Sequence, residues 1–182
     1  MPTLRIFIAL ELNPEIHKTI ESIQNILKKA DADVKWVKHS QAHITLKFLG
    51  ELSEDKLLEL KKRLATIKAK KISATLSRIG VFPNEFVPHV LWAELEPEKE
   101  IISLAQKIDE ETLDLAAGEQ QFVSHLTLGR IKTITNKVSF KTYLKELKIE
   151  KIPGVLESFT LYQSTLSSQG PTYKEIQTYS LL

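Results

Sequence analysis

One four-residue pattern occurs twice in this chain, each time inside a stretch that reads as a β-strand. The first copy is His43-Ile44-Thr45-Leu46 and the second is His125-Leu126-Thr127-Leu128. In an extended chain, residues two apart share a face and neighbours alternate. His43 and Thr45 are therefore expected to point one way, with Ile44, Leu46 and Phe48 turned into a core. His125 and Thr127 share a face likewise, with Leu126 and Leu128 buried. Each strand thus needs an apolar partner layer on one side and an open polar side on the other.

The rest of the chain supplies that layer. Residues 4–10 form a short apolar, β-rich run. Asn13-Pro14 reads as an N-cap with proline at the first helical position, and Ile16, Ile20, Ile23 and Leu27 recur at helical spacing up to Ala30. Strands are expected at 34–37 and 43–49, with Gly50 closing the second. Ser53 is placed to cap a helix at 54–69. A hairpin spans 72–82 and 87–95 around Pro83-Asn84. A helix is expected at 97–117, a strand at 122–129, a helix at 138–147, and final strands at 149–162 and 172–181, divided by Gly170-Pro171. The order predicts an α+β fold of two similar lobes, one histidine motif in each half of the chain, with each sheet covered by helices on one face.

Composition narrows the chemistry. With 182 residues, 42% hydrophobic and 26% charged, the chain has ordinary globular content and suits a single domain over 1–182. It has no cysteine, which removes disulfides, thiolate metal sites and cysteine nucleophiles. A net charge of +2 is too small to hold nucleic acid by charge alone, but allows a local basic pocket for a phosphate. No run approaches the roughly 18 apolar residues of a membrane span. The N-terminal apolar run is too short for a signal segment. A cytoplasmic protein with no membrane partner is expected.

Two strands facing each other across a cleft would gather two imidazoles and two hydroxyls around one centre. Metal-free phosphoryl transfer wants that set. In-line displacement at phosphorus needs a base on the attacking side and an acid on the leaving side. Histidine can serve as either near neutrality, and threonine hydroxyls can hold the non-bridging oxygens. A cyclic phosphodiester fits well, because its strained ring keeps the leaving oxygen in place. Zinc is the rival reading of paired histidines, but no H-x-x-x-H or H-E-x-x-H spacing occurs. No metal and no cofactor are expected. His17 and His39 read as solvated, and His89 as a possible cleft residue.

These residues resemble the 2H phosphoesterase superfamily, and within it the RNA 2′,3′-cyclic phosphodiesterase family, historically called 2′-5′ RNA ligases. The resemblance runs through Arg5-Ile6-Phe7-Ile8-Ala9-Leu10 and then Trp36-Val37 to Gly50. It continues through Val81-Phe82-Pro83 and Val90-Leu91-Trp92, Phe122 to Arg130, and Leu161 to Tyr173. It implies two pseudo-symmetric lobes, each an antiparallel sheet covered by helices, with a central active-site cleft. It further implies His43 as general acid on the leaving ribose oxygen and His125 as general base on water. Thr45 and Thr127 would bind the phosphate, helped by Arg130. The implied substrate is RNA with a 2′,3′-cyclic phosphate end, or a cyclic nucleotide, hydrolysed to a 2′-phosphate by a monomer. The alternatives are the reverse reaction, 2′-5′ ligation, and a non-catalytic RNA-end binding module. Two departures stand out: Ser124 replaces the family's usual proline, and His89 stands where a basic residue is common. Strict alternation would also turn Arg130 away from His125, unless a twist or bulge at Gly129 brings it round.

Overall fold

The structure, a computed structural model, describes residues 3–116, 122–168 and 170–182. Two antiparallel sheets carry the molecule. The first has four strands in the order β3 (Ile44–Ser53), β1 (Thr3–Leu10), β8 (Ser158–Ser167) and β9 (Gly170–Ser180). The second has five, in the order β2 (Ala32–Trp36), β6 (Leu126–Ile134), β5 (Val90–Glu96), β4 (Ile72–Phe82) and β7 (Gly154–Leu156). The expected α+β fold, with two antiparallel sheets and helices against them, is present.

The lobes are not the two halves of the chain, as the element order had suggested. Residues 6–10 of β1 are all buried, so β1 must be paired along both edges. It takes β3 on one side and the C-terminal hairpin β8–β9, by way of β8, on the other. The middle of the chain builds the second sheet. The two motifs still fall in different sheets, His43 leading into β3 and His125 into β6.

Helix α1 (Pro14–Leu27) starts as expected: Asn13 Oδ1 accepts from the Ile16 amide at 3.0 Å, with proline next in line. Its buried stripe of Ile16, Ile20, Ile23 and Leu27 packs toward β4. Helices α2 (Glu54–Leu64) and α3 (Glu98–Thr112) pack on each other and on β3. Ser53 leads α2 but makes no side-chain cap bond. Helix α3 is shorter than the 97–117 expected. The Thr112 hydroxyl donates to the Ile108 carbonyl at 2.6 Å, and the chain then tightens into a turn. Ala117 lies outside the described residues. Helix α4 (Lys137–Glu146) is capped by Asn136. The run at 149–162 is not one strand: pairing starts only at Gly154, after Pro153, and β7 and β8 are divided at Glu157. Gly50 does not close β3. The strand passes through it at φ +71°, a backbone region that glycine enters without steric cost.

Candidate active site

The open faces of the two sheets enclose a cleft of about 580 Å³, lined by His43, Thr45, His125, Thr127 and Arg130 among others. All five residues singled out from the sequence therefore meet in one place. Both histidines sit one residue before their strands begin.

Simple alternation fails in both strands, and in the same way. Ala9 pairs with Thr45 and Ile8 with Lys47, leaving Leu46 as an extra residue. Trp92 pairs with Thr127 and Leu91 with Gly129, leaving Leu128 extra. Each is a β-bulge at the leucine after the threonine. From Ile44 the burial sequence is buried, half-buried, buried, buried, exposed, and from Leu126 it is the same. Phe48, expected in the core, is therefore turned out to 55% exposure and lines the cleft. Lys47 is turned in, 2% exposed, with its Nζ on Asp109 Oδ1 of α3 at 2.6 Å. Arg130 is brought round to the face of Thr127 by the second bulge. Gly129 allows it: a Cβ there would lie 2.6 Å from Val34 Cγ1 and 3.2 Å from the Lys35 carbonyl.

The two imidazoles are held alike. His43 Nδ1 lies 2.9 Å from the Gln41 carbonyl, and His125 Nδ1 lies 2.8 Å from the Val123 carbonyl. A carbonyl only accepts, so each Nδ1 carries the proton and donates it. In the neutral ring each Nε2 is then the unprotonated nitrogen. The surroundings differ. His43 packs on Phe7 at 5.3 Å and edge-on to Tyr173 at 5.3 Å. Burial pushes its pKa below the ordinary 6.5, and the charge of His125 adds to that. The Gln41 hydrogen bond and the Glu11 carboxylate oppose it. Glu11 accepts from the Tyr162 hydroxyl at 2.7 Å, and burial together with that bond raises the tyrosine pKa. His125 meets one aromatic ring, Phe82, edge-on at 5.3 Å.

Among the described residues lining the cleft, Arg5, Lys35, Lys38 and Arg130 are cationic and none is acidic. This suits an anionic ligand. The pattern search singled out only Arg130 of these four. Gln24 was also missed. It is buried on α1, and its Nε2 donates to the Val37 carbonyl at 2.7 Å and to that of the bulged Leu128 at 3.0 Å. A polar residue beside the buried stripe of α1 was the available signal. His17 is half-buried and bonded to the His39 carbonyl, rather than solvated. His39 is also half-buried rather than solvated, its Nε2 3.8 Å from Glu21. His89 is exposed and does not line the cleft. Ser124 precedes the second motif with its Oγ buried and unpartnered. Among the described residues, no three His, Cys, Asp or Glu side chains are grouped as metal ligands, and no helix is long and apolar enough to cross a membrane.

Comparison with known proteins agrees with this fold. Residues 10–92 and 94–173 match the family of LigT like phosphoesterases. An RNA 2′,3′-cyclic phosphodiesterase of Methanocaldococcus jannaschii is 34% identical over 177 residues, covering 96% of this chain and 99% of that protein. One of Archaeoglobus fulgidus is 32% identical over 181 residues, covering 97% and 99%. Among solved structures, TT0787 of Thermus thermophilus superposes with a TM-score of 0.78 at 28% identity, covering 98% of both chains. E. coli LigT complexed with 3′-AMP shares the fold, with a TM-score of 0.75 at 23% identity, covering 100% of this chain and 99% of that one. With a family match over most of its length and full-length relatives above 30% identity, this chain belongs to the LigT-like phosphoesterases, within the 2H group.

Proposed function

We propose that the protein hydrolyses the 2′,3′-cyclic phosphate end of RNA, or a 2′,3′-cyclic nucleotide, to the 2′-phosphate by acid–base catalysis from His43 and His125. The observation that carries this is the matched pair of Nδ1-anchored imidazoles facing one cleft that, among the described residues, is lined by cations and no acid. His125 Nε2 takes a proton from water as the water oxygen bonds to phosphorus. The bond from phosphorus to the ribose 3′ oxygen breaks, and that oxygen receives the Nε2 proton of His43. Thr45 and Thr127 donate to the non-bridging oxygens, and Arg130 balances their growing charge. Ring strain and a tethered leaving group leave little for a metal to add.

The acid role asks His43 to be charged when substrate arrives, yet burial favours its neutral form. The bound phosphodiester anion, together with Glu11, works against that preference, so His43 is charged mainly in the complex. The relatives' names, RNA 2′,3′-cyclic phosphodiesterase, support the substrate in this reading. The working form is read as a cytoplasmic monomer built from one bilobal domain over 1–182.

The test is turnover of a 2′,3′-cyclic nucleotide in excess EDTA with identification of the product. A 2′-phosphate is expected, and kcat should fall by about 10²–10⁴-fold in His43→Ala and in His125→Ala. Full activity in either variant, or a 3′-phosphate product, overturns the assignment.

A further inference from the structure

We propose that a second groove, beside the cleft on the same face of the five-stranded sheet, binds the RNA strand that leads up to the cyclic end. The inference rests on the RNA-end reading above and names where the rest of that substrate goes. A 2′,3′-cyclic phosphate closes the 3′ terminus, so every further nucleotide extends from the 5′ side of the bound ribose and must leave the cleft.

The groove has a volume of about 490 Å³ and lies between α4 and the connection from β4 to β5. It continues the floor of the cleft. Trp92 pairs directly with Thr127 on one side and with Gly80 on the other, so all three share one face. Phe82 stacks on Trp92 at 4.9 Å and meets the His125 ring edge-on. One aromatic pair therefore has the catalytic ring on one side and the groove on the other. Gly80 lets the indole lie flat, since any Cβ there would clash with the ring. Trp92 is 7% exposed and its Nε1 has no partner.

The walls carry complementary chemistry for a nucleic acid strand. Lys137, Lys141 and Lys145 recur every four residues, so one face of α4 presents a lysine ridge, and all three line the groove. Lys141 pairs with Glu85, Lys137 reaches the Phe86 carbonyl at 3.3 Å, and Lys145 has no acidic partner among the described residues. Arg78 lies 5.3 Å over Trp92, its charge matched by Glu94. Opposite the ridge, Phe86 stands 80% exposed at the tip of the connection. A row of cations facing an exposed aromatic ring suits single-stranded RNA: phosphates on the ridge and a base on Phe86.

The test compares 2′,3′-cyclic AMP with a single-stranded hexaribonucleotide ending in a 2′,3′-cyclic phosphate. Binding is read in parallel by anisotropy of the same hexamer ending in a 2′-phosphate. In the triple variant K137A/K141A/K145A, KM and Kd for the hexamer should rise roughly tenfold, while cyclic AMP turnover stays as in the wild type. The slope of log Kd against log salt should fall by about 2, at about 0.7 per phosphate released on single strands. Phe86→Ala should weaken hexamer binding several-fold without changing that slope. Glu85→Gln, which frees Lys141, should tighten it.

Unchanged hexamer affinity and salt slope in the triple variant would overturn the proposal. So would an equal loss on hexamer and cyclic AMP. If Phe86→Ala dissociated a dimer and left RNA binding intact, the patch would be a protein contact and the proposal would again fail. Should the wild type turn over neither substrate, the catalytic reading fails, and the anisotropy result still decides the groove.

Discussion

The His43 strand and the His125 strand share one plan up to the threonine and part company after it. Both anchor Nδ1 on the carbonyl two residues back, and both bulge at the next leucine. Beyond the bulge, the inward position is Lys47 in one and Gly129 in the other. The outward position is Phe48 in one and Arg130 in the other. The shared part presents two imidazoles to the cleft, each anchored through Nδ1. The differing part gives the cleft a direction, with a cation on the β6 side and an exposed aromatic ring on the β3 side. A near-symmetric site can thus distinguish the two sides of its phosphorus through the outward residue beyond each bulge. The strands are also supported differently. Gln24 satisfies the carbonyl of the second bulge from α1, whereas Lys47 ties the first strand to α3 through Asp109.

Exchanging the outward residues tests that direction most severely. Arg130→Ala should lower kcat/KM on a cyclic nucleotide by about 10²–10³-fold through kcat, because its charge is needed most as the phosphorane forms. Phe48→Ala should act through KM, by about tenfold. Steady-state kinetics on both variants checks this, and equal effects through the same parameter would break the contrast. The supports come next. Gln24→Leu leaves the half-buried Val37 carbonyl short of a donor, while the Leu128 carbonyl keeps the Val37 amide at 3.0 Å, and should cost about 1 kcal/mol in urea unfolding. Lys47→Met should cost less than about 1 kcal/mol, since the released Asp109 side chain, 36% exposed, can hydrate.

The two rings also sit in unlike surroundings. By NMR, His43 in the free protein should titrate below 6.5, and inorganic phosphate in the cleft should raise it. A folded pKa below the unfolded one means that the unfolded chain binds more protons in that interval. Stability should therefore fall as pH drops below 6.5 toward the folded value, and His43→Gln should remove that part of the slope. A free-protein value at or above 6.5 would refute the burial argument. The smallest effect is expected at the approach to the second motif. Ser124 occupies the place that apolar Ala42 holds in the first, and its buried hydroxyl lacks a partner. Ser124→Ala should raise stability by about 1 kcal/mol in thermal unfolding.

The sequence by itself determined which five residues would gather at the cleft. A repeated His-x-Thr in an apolar β context fixes two imidazoles and two hydroxyls on open faces, because the two-residue period of a strand is local. It also determined the helix start at Asn13-Pro14 and the apolar stripes, again from short-range spacing. Tertiary structure decided the rest. Pairing on both edges of β1 placed the C-terminal hairpin in the first sheet, so the lobes cross the chain's halves. The bulges at Leu46 and Leu128 exist only relative to partner strands, so no count along one strand could put Phe48 and Arg130 in the cleft or Lys47 in the core. The groove beside Trp92 likewise needed residues of α4, β4 and β5 to line one space, because contacts between residues distant in sequence depend on packing rather than on period.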